Sequence, residues 1–186
     1  DEIETSYSYS SAQSILDSSK YAEIFSPSNI ATFENHEFLV SHISNVNNFY
    51  LQKSDDLKRI ELISELLKEI VESDSEITLK NPVISNLEAA KLNDVWFRVK
   101  ILEILDSNAS TVLCIDHGNV CSLEKLYALP EKLLAVPPLA YPCTLCLPDE
   151  LEHKMDHVNE KFIELVCTPG FKLKVELLEK KNDLFM

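Results

Sequence analysis

Between Trp96 and Leu123 the chain alternates short β-prone runs with turn residues. About ten residues separate one strand from the next, the spacing of a small antiparallel barrel. Trp96-Phe97-Arg98-Val99-Lys100-Ile101-Leu102 gives one strand, Asp106-Ser107-Asn108 a polar hairpin turn, and Thr111-Val112-Leu113-Cys114-Ile115 the return. Asp116-His117-Gly118-Asn119 is a tight turn, and Val120-Cys121-Ser122-Leu123 comes next as another short strand. Strands this short bury enough apolar surface only when their sheet curls on itself or packs on other elements.

Other elements flank this run on both sides. Phe38 to Ile43 and Asn48 to Gln52 are strand-like and are joined by Ser44-Asn45-Val46-Asn47, which predicts a hairpin. Asp55 to Glu72 is the clearest helix: Leu57, Ile60, Ile63, Leu66, Leu67, Ile70 and Val71 recur on a helical period. Ser54 is the expected cap, and Asp55 and Asp56 sit at the positive end of the helix dipole. Pro82 opens the second β-rich region, and Pro130, Pro137, Pro138 and Pro142 punctuate the chain beyond it. Leu145 and Leu147 mark a further strand. Asp149 to Val166 is an acidic amphipathic helix with Leu151, Met155, Val158, Phe162 and Leu165 on one face, and Phe171 to Leu177 alternates as a half-buried strand. Residues 1–30 are rich in Ser and Tyr. Within them, Ala12 to Phe25 predicts a short helix that packs on the main body, and Pro27 marks a linker. The small barrel thus reads as an insertion into a second β-rich unit that only the C-terminal third completes.

Composition narrows the function. The 186 residues hold 17 Lys plus Arg against 31 Asp plus Glu, a net charge of −14. That balance argues against nucleic-acid binding, which draws its affinity from clustered cations, and against docking on an anionic membrane. A basic partner is its complement. No apolar run approaches the ~20 residues of a membrane span, and Asp1-Glu2-Ile3-Glu4 has no signal-peptide core. Only two glycines are present, so there is no Gly-rich phosphate loop and no nucleotide cofactor is expected. Five cysteines form no disulfide framework, which fits a reducing cytoplasm.

Catalytic and metal constellations are weak. Cys114-x-x-His117, Cys121 and Cys143-x-x-Cys146 contain enough ligands for a tetrahedral zinc set. Strand thiols three residues apart point to opposite faces, however, and no glycine knuckle accompanies them, so core cysteines are expected and no metal. No helix begins between Cys143 and Cys146, which disfavours a redox pair. Of His36, His42, His117, His153 and His157, only the last two have helical i, i+4 spacing. They lack the H-E-x-x-H pattern and fit a solvated face. No G-x-S-x-G occurs. The chain reads as non-enzymatic.

The residues from Val95 to Val120, VWFRVKILEIL…TVLCIDHGNV, resemble the Tudor-domain pattern, in which a W-Y-R-A strand is succeeded by a strand ending in F-x-D-Y-G-N. LYALPEKLLAVPPLAYPCTL downstream, and VSHISNVNNFYLQ with its long helix upstream, extend the likeness over about residues 35–180 to the extended Tudor domain. That resemblance implies a mostly β, α+β fold: a Tudor β-barrel inserted in a staphylococcal-nuclease-like OB-type unit and joined to it by a long helix. The implied division is an N-terminal arm over 1–34, nuclease-like hairpin and linker helix over 35–81, Tudor barrel over 82–134, and the rest of the nuclease-like unit over 135–186.

The resemblance also implies a function. The family binds arginine, often symmetrically dimethylated, in Arg-rich N-terminal peptides of Piwi-clade Argonaute proteins of the piRNA pathway, in the cytoplasm at perinuclear germ granules. A methylated guanidinium is planar, cationic and poorly hydrated, so it stacks between aromatic faces while an Asn carbonyl accepts its remaining N–H. Carried onto this chain, the cage falls on the loop Lys91–Asp94, then Phe97, Cys114, His117 and Asn119. Phe97 and Asn119 fit. Cys114 stands where an aromatic is usual, His117 replaces the turn tyrosine, and the loop has no aromatic, so at most two walls remain. The expectation is an adaptor that tolerates or prefers unmethylated arginine, with carboxylates such as Asp94, Asp116 or Glu124 replacing stacking. A competing role for Asp116 is an ion pair with Arg98 beside the turn. Gly118 is expected at positive φ, Asn119 has turn capping as its alternative role, and Trp96 is expected in the core. The rival function is a dimerisation or interaction scaffold that no longer recognises peptide. A nuclease or nucleic-acid role is disfavoured by the charge.

Overall fold

A computed structural model of the chain describes residues 12–26, 33, 35–73, 78, 81–105, 109–176, 180–181 and 184–185. The expected hairpin forms as β1 (Glu37–Asn45) and β2 (Asn48–Lys53), paired antiparallel around Val46 and Asn47. A short 3₁₀ turn, Ser54–Asp56, then leads into α1 (Leu57–Ser73). Ser54 is not the cap expected of it, because the helix begins three residues later and its buried hydroxyl makes no hydrogen bond.

The second β region gives β3 (Leu87–Leu92), β4 (Val95–Ile104), β5 (Ser110–Cys114), β6 (Val120–Leu123) and β7 (Tyr127–Ala128). They form one antiparallel sheet in the order β6-β5-β4-β3-β7. The turn expected at Asp106-Ser107-Asn108 lies outside the described residues.

After the single turn α2 (Glu131–Leu134), β8 (Ala140–Cys143) runs beside β2. The strand expected around Leu145 and Leu147 is therefore earlier in the chain, because the open edge of β2 captures residues 140–143 in spite of Pro142. Leu145 keeps one backbone bond, to the Val46 carbonyl. Residues Asp149–Lys154 make a 3₁₀ turn ahead of α3 (Met155–Val166). Leu165, expected on its buried face, is 51% exposed. The short β9 (Leu173–Lys174), β10 (Lys180–Lys181) and β11 (Leu184–Phe185) complete a second sheet, β10-β11-β8-β2-β1-β9. The strand expected over Phe171 to Leu177 pairs only at Leu173 and Lys174, and Leu177 lies outside the described residues.

Three apolar clusters hold these layers. The largest joins Ile63, Leu66, Leu67 and Ile70 of α1 to Ala89 and Trp96, to Leu129, Leu133 and Leu139, and to the N-terminal segment through Leu16, Tyr21 and Ile24. That segment is helical over 12–16 and 3₁₀ over Ser19–Phe25, and it lies on α1. The buried Arg59 fastens it by donating to the Ile24 carbonyl. The linker expected at Pro27 lies outside the described residues. A second cluster fills the five-stranded sheet with Ala90, Val99, Ile101, Val112, Cys114 and Leu126, and a third packs Phe38, Phe49, Leu51 and Cys143 with Phe162 of α3.

Strand β4 serves two of these cores because side chains alternate along it. Phe97, Val99 and Ile101 face the sheet interior, and Trp96 and Arg98 face the other way. Arg98 is 0% exposed. Its Nε and one Nη grip the Asp116 carboxylate at 2.8 and 2.6 Å. Its remaining N–H groups donate to the carbonyls of Leu133 (3.0 Å), Val136 (2.5 Å) and Pro137 (2.9 Å). Asp116 also accepts from the Leu139 N–H at 3.0 Å. All five guanidinium donors are thereby matched, as a buried charge requires. Arg98→Met, leaving Asp116 charged and unpaired in the interior, is expected to cost about 3–5 kcal/mol of stability, measured by urea unfolding.

Candidate functional site

The turn between β5 and β6 carries the expected binding residues. Its shape comes from the Cys114 carbonyl, which accepts from the N–H of His117 (3.1 Å) and of Gly118 (2.7 Å), and from Asp116, which Arg98 holds from below. Gly118 lies at φ +91°, as expected for glycine in this turn. There is a second reason for glycine: a Cβ would overlap the ring of Tyr50 on β2.

The hairpin β1–β2 therefore seats the turn. Ser41 donates from its hydroxyl to the His117 carbonyl at 2.8 Å. Gln52 donates from its amide to the Asp116 carbonyl, and the same nitrogen lies 3.4 Å from His117 Nδ1. Nothing in the sequence singles out Ser41, Tyr50 or Gln52. Ser41 precedes its turn partner by 76 residues and Gln52 by 64, and no local pattern links them to it.

On top of this seat, the Phe97 and His117 rings meet at 5.0 Å between centroids and 74°, two walls of a corner. Burial pushes the His117 pKa below its ordinary value of 6.5, against the opposing pull of Asp116, so the ring is neutral at physiological pH. Asn119 is next in the turn, half-buried, and its backbone carbonyl accepts from the Cys114 N–H at 2.9 Å.

Two of the expected residues lie elsewhere. Cys114 is 1% exposed within the core of the five-stranded sheet, and burial raises its thiol pKa to about 12. It is a small apolar core residue and no wall of the corner, because inward alternation along β5 turns it away from solvent. Asp116 is buried too, and its carboxylate is committed to Arg98 and the Leu139 N–H, so it offers no acceptor to a ligand. Asp94 sits in the β3–β4 turn, where Asn93 and Asp94 both have positive φ. Its side chain is 93% exposed and pairs with Lys91 at 2.8 Å, which lowers its pKa. Glu124, just past β6, is exposed. Trp96 is in the core as expected, edge-on to Tyr127 at 4.9 Å.

The family model described as the Tudor domain matches residues 32–146. The chain belongs to the Tudor-domain family. Protein tudor of Drosophila melanogaster is 28% identical over 146 residues, 77% of this chain, and a Tudor domain-containing 6-like protein of Xenopus laevis is 27% identical over 161 residues, 83% of it. The chain spans only 6% and 8% of the length of these two relatives.

Solved structures share the extended Tudor fold. The extended Tudor domain of human TDRD1, in complex with a symmetrically dimethylated E2F peptide, superposes with a TM-score of 0.73 at 20% identity, covering 81% of this chain and 76% of that one. Domain TD3 of mouse TDRD1, with a MILI peptide containing dimethylarginine, gives 0.71 at 20% identity over 85% and 83%. A complex of Tudor with Aubergine carrying a dimethylated arginine gives 0.59 at 20% identity over 81% and 89%. In this Tudor domain the turn that carries the corner rests on Gly118. Gly118→Ala is expected to destabilise the fold by about 2–4 kcal/mol in urea unfolding, from left-handed strain and overlap with Tyr50 together. Adding Tyr50→Ala is expected to recover the overlap part only.

Proposed function

We propose that this Tudor domain is a non-catalytic adaptor that binds an arginine-containing peptide of a Piwi-clade Argonaute protein, with the guanidinium seated against Phe97 and His117. The observation that carries this reading is the corner itself: two rings at 74° beside Asn119, with burial opposing a charge on the imidazole. A guanidinium stacks on one ring, meets the other edge-on, and has the Asn119 side-chain carbonyl within the same turn to accept an N–H. The peptide complexes of human and mouse TDRD1 and of Tudor with Aubergine, which share the fold, support the choice of ligand. The net charge of −14 favours a basic peptide. Work at cytoplasmic, perinuclear germ granules goes with this reading.

The same corner supports tolerance of, or preference for, unmethylated arginine. Position 114 is core and the β3–β4 turn has no aromatic, so two stacking faces are missing, each worth about 0.5–2 kcal/mol. Unmethylated arginine keeps all its N–H donors for oxygen acceptors, and the surface carboxylates of Glu124, and of Asp94 in exchange for its Lys91 partner, would provide charge-assisted bonds. In calorimetry, an unmethylated Arg-rich peptide is expected to bind at least as tightly as its symmetrically dimethylated form. A clear preference for the dimethylated form would overturn this selectivity. Phe97→Ala is expected to weaken binding about 3- to 30-fold.

Affinity also depends on His117. The neutral ring is fully present above its ordinary pKa of 6.5, and its folded value lies lower. Binding is therefore expected to be flat near neutrality and to fall as acidification protonates the ring and places a second cation in the corner.

A dimerisation scaffold is the second reading. It is favoured by Val83 and Ile84, each 54% exposed, lying beside exposed Leu102 and Ile104 at the outer end of β4, where the Ser85 N–H bonds the Ile101 carbonyl. Sedimentation across a hundredfold concentration range tests it, and a concentration-dependent dimer that binds no arginine peptide would favour it.

A further inference from the structure

Gln52 is an unusual occupant of its position. It lies in β2, a central strand between β1 and β8, opposite Leu39 on one side and Ala140 on the other, and it is 5% exposed. A buried primary amide has to satisfy its hydrogen-bonding groups, and this one spends its nitrogen on the turn of the other sheet.

The direction of that amide is fixed by chemistry. Its nitrogen faces the Asp116 backbone carbonyl, which can only accept, so the NH₂ end and not the oxygen must point there. The same nitrogen lies 3.4 Å from His117 Nδ1. One N–H is used on the carbonyl, and Nδ1 can take the second only by presenting its lone pair. The ring proton is left on Nε2. An imidazolium would set an Nδ1–H against the Gln52 N–H, donor against donor.

We propose that Gln52 is the positioning residue of the arginine corner: its amide holds His117 uncharged, in the Nε2–H tautomer and edge-on to Phe97. This rests on the reading of Phe97 and His117 as the arginine-binding corner. The consequence is specific. His117 gives a guanidinium a ring and no acceptor lone pair on Nδ1, which leaves hydrogen bonding to Asn119 and to surface carboxylates. It also keeps a competing positive charge out of the corner. Burial of the ring opposes protonation alongside Gln52, and Asp116 favours it. Asp116 is the anion that acts on it and is tied to Arg98, and Phe97 from β4, Ser41 from β1 and Tyr50 from β2 are uncharged there.

The test is long-range ¹H–¹⁵N NMR of the histidine side chains across a pH titration, with His117 assigned by substitution. The unliganded wild type is expected to show the Nε2–H tautomer. Gln52→Met removes the donor with little change of shape and is expected to mix the tautomers and raise the protonation midpoint. Gln52→Glu puts an acceptor against Nδ1 and is expected to move the proton there and raise the midpoint by about one unit or more. At about pH 6, Gln52→Met is expected to bind the arginine peptide about two- to tenfold more weakly than wild type, with a smaller difference at pH 7.5.

An Nδ1–H tautomer in the wild type would overturn the proposal, and that reading does not depend on either Gln52 variant folding. A midpoint and tautomer unmoved in both variants, with their amide spectra otherwise native, would overturn it as well. If the wild-type tautomer and the shifts are as expected but no arginine peptide binds, the positioning role stands and the peptide-binding reading falls.

Discussion

The structure depends on one buried ion pair. Arg98 points away from the interior of its own sheet, toward a segment, residues 133–139, that has little secondary structure of its own. Such a segment leaves backbone carbonyls in need of donors, and three of them find the guanidinium. Asp116 neutralises the charge bidentately and takes the Leu139 N–H. Burying a pair like this gives little net stability over an apolar replacement. Its value here is geometric, because five fixed donors specify where β4, the β5–β6 turn and the chain after α2 sit relative to one another.

That placement explains why the candidate site belongs to neither sheet alone. Phe97 comes from β4, and His117 and Asn119 come from the turn that Asp116 anchors. The underside of the turn is then closed by β1 and β2 of the other sheet, through Ser41, Tyr50 and Gln52. The contact tolerates no Cβ at position 118, which leaves the turn one way to sit. A binding corner on a loop needs such support, because loops without it are mobile and lose the geometry on which stacking depends.

Much of this was legible in the sequence, for identifiable reasons. The β1–β2 hairpin, α1 and the strands from Val95 to Leu123 come from local periodicity and turn chemistry, and β4 through β6 fall within a residue or two of expectation. The Arg98–Asp116 pairing was visible as one of two roles for Asp116, and only its burial decides between them. Ser54 as a cap and the strand at Leu145 failed because tertiary pairing overrode local signals: a 3₁₀ turn absorbed the cap residue, and β2 drew residues 140–143 into its sheet. At the candidate site, Phe97, His117 and Asn119 were named through the Tudor resemblance, and the structure brings the first two rings together. Cys114 carried two readings, core cysteine and cage position, and its burial on β5 decides for the core. Gln52, Ser41 and Tyr50 carried no signal, since nothing in a β-strand says which distant turn it will support.

On this view the arginine site is assembled where the two sheets meet. Backbone amide NMR titration with an unmethylated Arg-rich Piwi-type peptide tests that most directly. The prediction is a contiguous set of perturbed amides at Phe97, at His117 to Asn119, and at Ser41, Tyr50 and Gln52 across the junction. Perturbations centred on Val83, Ile84 and Leu102, or on the exposed face of α1, with the junction unmoved, would contradict it.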